Sequence, residues 1–240
     1  MLEDMKEIVC KANLDLVSRG LVLQTFGNVS GVDRPSGFMV IKPSGVDYSS
    51  LSPANMVVVS LETGRVVEGD LNPSSDTPTH RVLYNAFTSL GGIVHTHSLY
   101  ATSWAQAQCE IPAFGTTHAD YCHGSVPCTR LMTDGEIKAE YEANTGHVIV
   151  ERFNGLACES YPGVLVASHG PFAWGRTVAE AVDRAEVLEY LARLASETIR
   201  IRPDVKSMQT ALSDKHFYRK HGSEAYYGQK NRDAENVQTS

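Results

Sequence analysis

Of the nine histidines in the 240-residue chain, three stand where their type and spacing allow chemistry. In GGIVHTHS, residues 91–98, His95 and His97 are separated by one residue, and side chains alternate across a strand, so both project from one face. Two imidazoles aimed at one point suit a divalent ion. A third nitrogen from another strand end would complete the set and leave a coordination position for substrate. His169, closing the apolar run VLVAS, is that candidate. A close pair among nine histidines also arises by chance, as surface or hydrogen-bonded core residues. Position favours the metal reading, because both clusters end strongly apolar strands, where α/β proteins place ligand sites.

Asp76 lies nearby in NPSSDTPTH, residues 72–80, just before a helix that begins around Pro78. Helix capping explains one of its Ser, Asp and Thr residues but does not need three in a row. Hydroxyls and free N–H groups at a helix N-terminus also hold anions, which makes Ser74 and Ser75 candidate phosphate ligands beside the capping reading. The segment KPSGVD, residues 42–47, offers a cation at Lys42, a hydroxyl at Ser44 and a permissive turn at Gly45. FGNVS, residues 26–30, reads as a tight turn in which Asn28 tolerates unusual backbone angles. Unaided, neither segment identifies a phosphate site, since both are also generic turns.

The surrounding pattern supplies elements to position these groups. Leu2, Met5, Ile8, Val9, Ala12 and Leu16 recur at helical spacing before Gly20. Residues 37–42, 56–60 and 64–68 are short apolar or β-branched runs bounded by turn formers, and so read as strands. Residues 77–87 read as a helix, and 91–97 and 163–168 as buried strands. Thr133 with Glu136, and Thr177 with Glu180, fit capping boxes. The second opens a long helix whose buried face is Val178, Ala181, Val182, Ala185, Leu188, Leu191, Ala192 and Ala195. Residues 151–163 look like a variable surface loop, and the last residues like a solvated tail. One α/β domain over 1–229, followed by a polar tail over 230–240, is the economical division.

A hydrophobic content of 42% with 20% charged residues is ordinary for a globular chain. The net charge of -7 and a pI near 5.7 argue against nucleic-acid binding, which requires a basic face. No membrane span or signal peptide is legible at the N-terminus, so the cytoplasm is the expected compartment. Five cysteines without CxxC spacing suit reduced thiols better than a disulfide framework.

Taken together the residues resemble the class II aldolase and epimerase (adducin-like) family, in its L-ribulose-5-phosphate 4-epimerase branch. The resemblance rests on MLED at the start, GNVS (27–30), KPSGVDY (42–48), MVVVS with VVEGD, PSSDTPTH (73–80), GGIVHTHS, GTTHADY (115–121), HGPFAWG (169–175), DKHFYRKHG and AYYGQ (225–229). It runs nearly end to end. It implies a three-layer α/β/α single domain with a central mixed, largely antiparallel β-sheet, assembled as a homotetramer with active sites between subunits.

The same resemblance assigns His95, His97 and His169 to zinc or another divalent metal, with Asp76 as ligand or close neighbour. It raises Gly27, Asn28, Lys42, Ser44, Gly45, Ser74 and Ser75 to holders of the substrate phosphate, where hydroxyls, main-chain amides and a point charge suit phosphate oxygens. It implies acid/base roles for Asp120 and for Tyr227, the latter contributed by the adjacent subunit, with His216 and Arg219 orienting them or approaching the phosphate. Read from the residues alone, Asp120 is equally a cap or salt-bridge partner and Tyr227 equally interface packing.

The implied reaction interconverts L-ribulose 5-phosphate and D-xylulose 5-phosphate by carbon-carbon cleavage and re-formation. Two rivals remain. A class II aldolase of the fuculose- or rhamnulose-phosphate type would release the fragments, and in the resemblance the fuculose enzyme carries Glu where this chain has Asp76. A non-catalytic scaffold like the adducin head would lack the metal ligands.

Overall fold

The computed structural model describes residues 2–221 and 225–227. Seven strands form one sheet: β1 (Asn28–Asp33), β2 (Phe38–Ile41), β3 (Val57–Ser60), β4 (Val66–Glu68), β5 (Gly92–His95), β6 (Gly163–Leu165) and β7 (Pro171–Gly175). Their spatial order is β4-β3-β2-β1-β5-β7-β6. The helices are α1 (Glu3–Ser18), α2 (Thr77–Ala86), α3 (Leu99–Gln106), α4 (Thr116–Ala119), α5 (Asp134–Lys138), α6 (Tyr141–Arg152), α7 (Val178–Ile201) and α8 (Thr210–Tyr218). Among the described residues no helix is long and apolar enough to cross a membrane.

Strand alternation divides the core into two layers. Val29, Val40, Val58, Val94 and Ala173 pack with Val9 and Leu16 of α1 and Val182 and Leu188 of α7. The intervening residues Met39, Ile41, Val57, Val59, Ile93, Phe172 and Trp174 pack with Leu83 and Tyr84 of α2 and Ile149 of α6. This is the expected three-layer α/β/α domain. The sheet is antiparallel at every strand pair, and the parallel pairing anticipated in a mixed sheet is confined to an isolated bridge between Cys128 and Leu165.

The long helix α7 follows its sequence signal closely. The Thr177 hydroxyl accepts the Glu180 N–H, satisfying a donor that the first turn leaves free, and all eight residues of the expected face are buried. Burying Leu188 and Leu191 contributes about 1.5–3 kcal/mol each relative to exposure.

Two segments depart from the sequence reading. The turn expected at 26–30 is the start of the central strand β1, which pairs Asn28 with His95 and Ser30 with Ile93 on one side and with Ile41 on the other. NVSGVD carries little apolar signal, because it relies on neighbours for its burial. A side chain at Gly31 would meet Met5 Sδ at 2.6 Å and Val178 Cγ2 at 2.7 Å, so the missing Cβ lets α1 and α7 approach the sheet. Residues 151–163 are no free surface loop. Phe153 and Cys158 are buried, and the Trp174 indole N–H donates to the Cys158 carbonyl at 3.0 Å.

Candidate metal centre and substrate pocket

The three histidines converge. His95 ends β5, His97 lies two residues further on, and His169 stands in the tight turn between β6 and β7. One nitrogen from each lies within 4.8 Å of the others, and His95 Nε2 is 3.1 Å from His97 Nε2. His95 Nδ1 sits 3.0 Å from the Pro171 carbonyl, which can only accept, so this nitrogen donates and Nε2 faces the cluster. The ring is held by Phe172, its cross-strand partner, stacked at 4.2 Å.

The electrostatics suit a cation. Burial, then His95 and His97, push His169 down to about 4. Burial, followed by His95, also lowers His97. Near neutral pH both imidazoles are therefore unprotonated and have lone pairs to donate. For Asp76 burial acts upward, but the neighbouring His95 and His80 together with the Asn28 hydrogen bond outweigh it and hold the carboxyl below its usual value. Three imidazole rings beside one carboxylate match a divalent ion of intermediate softness.

Asp76 does not cap its helix. Its side chain makes no cap bond to α2 and instead accepts Asn28 Nδ2–H at 2.6 Å. The capping alternative is thus excluded for this residue, and Asn28 lines the pocket while also holding Asp76. Beneath them lies a group absent from the sequence reading: His80, wholly buried on α2, whose Nδ1 is 2.7 Å from Ser30 Oγ, itself 2.9 Å from Tyr84 Oη. No spacing rule marks His80, because it lies one turn beyond Asp76 on a face that only the β1 backing makes polar.

The two turn segments meet edge to edge. Pro43 and Pro73 form an antiparallel bridge, flanked by Ser44 N–H to Asn72 O and Ser74 N–H to Lys42 O, both 2.9 Å. Lys42 is 2% exposed, its ammonium 4.8 Å from the Tyr48 ring centroid and 3.3 Å from the Pro43 carbonyl. Burial lowers its pKa, against the opposing pull of the Asp47 carboxylate. A buried cation beside two serine turns is chemically suited to an anion.

These groups share one cavity of about 370 Å³, lined by the three histidines, Asp76, Gly27, Asn28, Lys42, Ser44, Gly45, Ser74 and Ser75. Tyr141 and Glu142, which the sequence reading missed, complete the wall. They stand at the start of α6, pinned by the Thr79 hydroxyl donating to the Glu142 carbonyl at 2.6 Å. The Tyr141 hydroxyl lies 3.5 Å from His169 Nδ1. Only the packing of α6 on α2 brings them there. A larger cavity of about 620 Å³ lies between α7 and α8 but lacks this donor set, so chemistry rather than volume locates the site.

Asp120 and Tyr227 are not among the residues lining this pocket. They belong to a second cluster where α8 docks on α4. Arg219 grips the Asp120 carboxylate with two bonds from Nη2 at 2.9 Å, His216 Nδ1 lies 3.1 Å away, and Lys220 Nζ 3.3 Å. Burial acts upward on Asp120, but these three partners outweigh it and hold the carboxyl below the usual range. The Tyr227 ring lies under the Arg219 and Lys220 cations at 4.8 and 4.7 Å. His216 and Arg219 therefore hold Asp120 in place. Gly228, Gln229 and the expected tail at 230–240 lie outside the described residues.

Residues 7–196 match the family described as the Class II Aldolase and Adducin N-terminal domain, and the chain belongs to that family. Among solved structures it is similar to an L-fuculose 1-phosphate aldolase, at 26% identity over 90% of this chain and 95% of the other, with a TM-score of 0.76. It is also similar to YgbL of Klebsiella pneumoniae, a putative aldolase/epimerase/decarboxylase, at 27% identity over 90% and 99% of the two chains and a TM-score of 0.70. The L-fuculose-1-phosphate aldolase of Thermus thermophilus shares the fold, with 21% identity over 85% and 98% of the chains and a TM-score of 0.63.

Proposed function

We propose that this protein is a metal-dependent L-ribulose-5-phosphate 4-epimerase, acting through His95, His97 and His169 with zinc as the ion. The observation that carries the reading is one pocket in which the histidines and Asp76 face the Lys42, Ser44, Gly45, Ser74 and Ser75 turns. Such a pocket accepts a molecule with vicinal oxygens at one end and a phosphate at the other. The extended motif resemblance selects the 4-epimerase branch within the family.

The C4 hydrogen of a 2-ketopentose phosphate is not acidic, so simple enolisation cannot invert C4. The C4 hydroxyl is β to the ketone, and its deprotonation breaks C3–C4, leaving the enediolate of dihydroxyacetone and glycolaldehyde phosphate. Rotation of the aldehyde and re-addition give the epimer. A divalent ion held by the histidines supplies Lewis acidity toward the ketone end of the substrate. Lys42 and the serine turns hold the phosphate, which keeps the aldehyde fragment from leaving while it turns. Proton transfer is needed on both faces of the aldehyde. Because Asp120 and Tyr227 share Arg219 within one chain, where the resemblance takes only Tyr227 from the adjacent subunit, both supply it from a neighbouring subunit of a cyclic homotetramer. Their absence from the pocket of a single chain supports this sharing.

The fuculose-phosphate neighbour favours a second reading, net aldol cleavage, in which the fragments are released. One assay separates them. The purified protein with zinc or another divalent ion is supplied with L-ribulose 5-phosphate, and D-xylulose 5-phosphate is measured beside free dihydroxyacetone. Epimer formation, lost on chelation and restored by metal, is expected. Free fragments in place of epimer select the aldolase, and no turnover with metal restored overturns the epimerase reading.

A further inference from the structure

The Lys42 ammonium is taken out of water and still has three N–H groups to satisfy. One donates to the Pro43 carbonyl at 3.3 Å, and the Tyr48 ring presents its face with the centroid 4.8 Å from Nζ. Both partners are neutral, so they solvate the charge without cancelling it. The Asp47 carboxylate also draws on Lys42, but it accepts the Ser49 N–H at 2.8 Å and the Ser49 hydroxyl at 2.6 Å. Those bonds start the single turn Tyr48–Ser50 and so fix where the ring stands.

The same tyrosine reaches a second segment. Tyr48 is buried, and its hydroxyl shares one proton between the Gly27 carbonyl at 2.9 Å and the Phe26 carbonyl at 3.2 Å. The turn it holds has no slack. Gly27 has a φ of 88°, and a Cβ there would lie 2.8 Å from the His95 carbonyl oxygen and 2.9 Å from Val22 Cγ1. Gly27, Asn28 and Lys42 line the pocket, whereas Tyr48 does not. One side chain behind the wall therefore touches both the cation and the turn that face the cavity.

We propose that Tyr48 is a positioning residue of the phosphate end of the pocket, its ring holding the Lys42 ammonium at the cavity and its hydroxyl pinning residues 26–28 beside it. The inference rests on the reading of Lys42 and the serine turns as holders of a phosphate. Tyr48 acts through these groups and touches no substrate. Loss of a cation–π contact changes an equilibrium roughly 2- to 30-fold, most where water is excluded, and Lys42 is in such a place. The hydroxyl contributes separately, because removing it takes the donor from the Phe26 and Gly27 carbonyls.

The test titrates the full chain, free of metal, with inorganic phosphate followed by phosphorus NMR, for wild type, Lys42→Met, Tyr48→Phe and Tyr48→Leu. Tyr48→Leu should bind phosphate about 2- to 30-fold more weakly while its zinc affinity, measured by chelator competition, stays at the wild-type value. Tyr48→Phe keeps the ring, so its phosphate affinity should fall between wild type and Tyr48→Leu, and deuterium exchange should quicken in the peptide spanning residues 26–28. Tyr48→Leu that binds phosphate as wild type does, or that loses zinc together with phosphate, overturns the inference, as does Tyr48→Phe that binds no better than Tyr48→Leu. If Tyr48→Leu fails to fold, Tyr48→Phe decides, and unchanged phosphate affinity or unchanged exchange overturns the inference. A wild type that binds no phosphate, or whose affinity survives Lys42→Met, overturns the reading of the pocket and this inference with it. Phosphate lost in Lys42→Met but kept in Tyr48→Leu overturns this inference alone.

Discussion

Acidification tests the account of the polar seam under Asp76. Burial pushes His80 down to about 3 from an ordinary value of 6.5. In the unfolded chain this imidazole takes up a proton below pH 6.5, whereas in the fold it stays neutral until about pH 3. Between those values the unfolded state holds more protons, so stability falls as pH falls. At 1.36 kcal/mol per pH unit below the unfolded value, His80 alone removes on the order of 2–3 kcal/mol between pH 7 and 4.5. That is a large part of the 5–15 kcal/mol by which a domain is typically stable. His80→Gln abolishes the titration while keeping a polar group near Ser30 Oγ. Urea unfolding of metal-free wild type and variant, followed by circular dichroism at one protein concentration, supplies the stability difference at each pH. The wild-type advantage over the variant should shrink by roughly 2–3 kcal/mol from pH 7 to 4.5. Carboxylates remote from His80 cancel in the difference, and Asp76, which His80 helps to hold low, moves with it. Parallel pH profiles would refute the reasoning.

His97→Asn removes one of three converging donors and should weaken zinc binding at least tenfold in competition with a chromogenic chelator, with the circular dichroism spectrum retained. Tyr227→Phe should keep the wild-type metal affinity and lose epimerisation; loss of metal would contradict its assignment to the other cluster. Asp120→Asn should also keep the metal while turnover falls, because it removes the charge that Arg219, His216 and Lys220 surround, and unchanged turnover would refute its role. Gly91→Ala would place a Cβ 2.0 Å from the Arg176 carbonyl oxygen, backbone against backbone beside the strand that bears His95. A loss of about 1–3 kcal/mol in urea unfolding is expected, and an unchanged midpoint would refute the contact.

Much of the fold could be read along the chain because it follows local rules. The spacing of Leu2 to Leu16, the Thr177 cap and the eight-residue stripe of α7 each have a period that a helix imposes on sequence. The pairing of His95 with His97 is equally local in sequence, although β5 ends at His95 and His97 reaches the same side from the extended residues beyond it. Strand β1 was illegible because its burial comes from α1, α7 and both neighbouring strands rather than from its own apolar residues.

The sequence by itself determined the donor set: three histidines at strand ends, an aspartate before a helix, and a lysine with serines in turns. Side-chain type and short-range period are properties of the chain, so they can be read before it folds. Tertiary structure decided what those groups do to one another. It made Asp76 a partner of Asn28 rather than a side-chain cap of α2, and it zipped the Lys42 and Ser74 segments together through the Pro43–Pro73 bridge. It brought Tyr141 and Glu142 to the pocket on α6 and placed Asp120 and Tyr227 in a separate cluster. These are contacts between residues tens of positions apart, and their geometry exists only once the sheet and its two helical layers have closed around them.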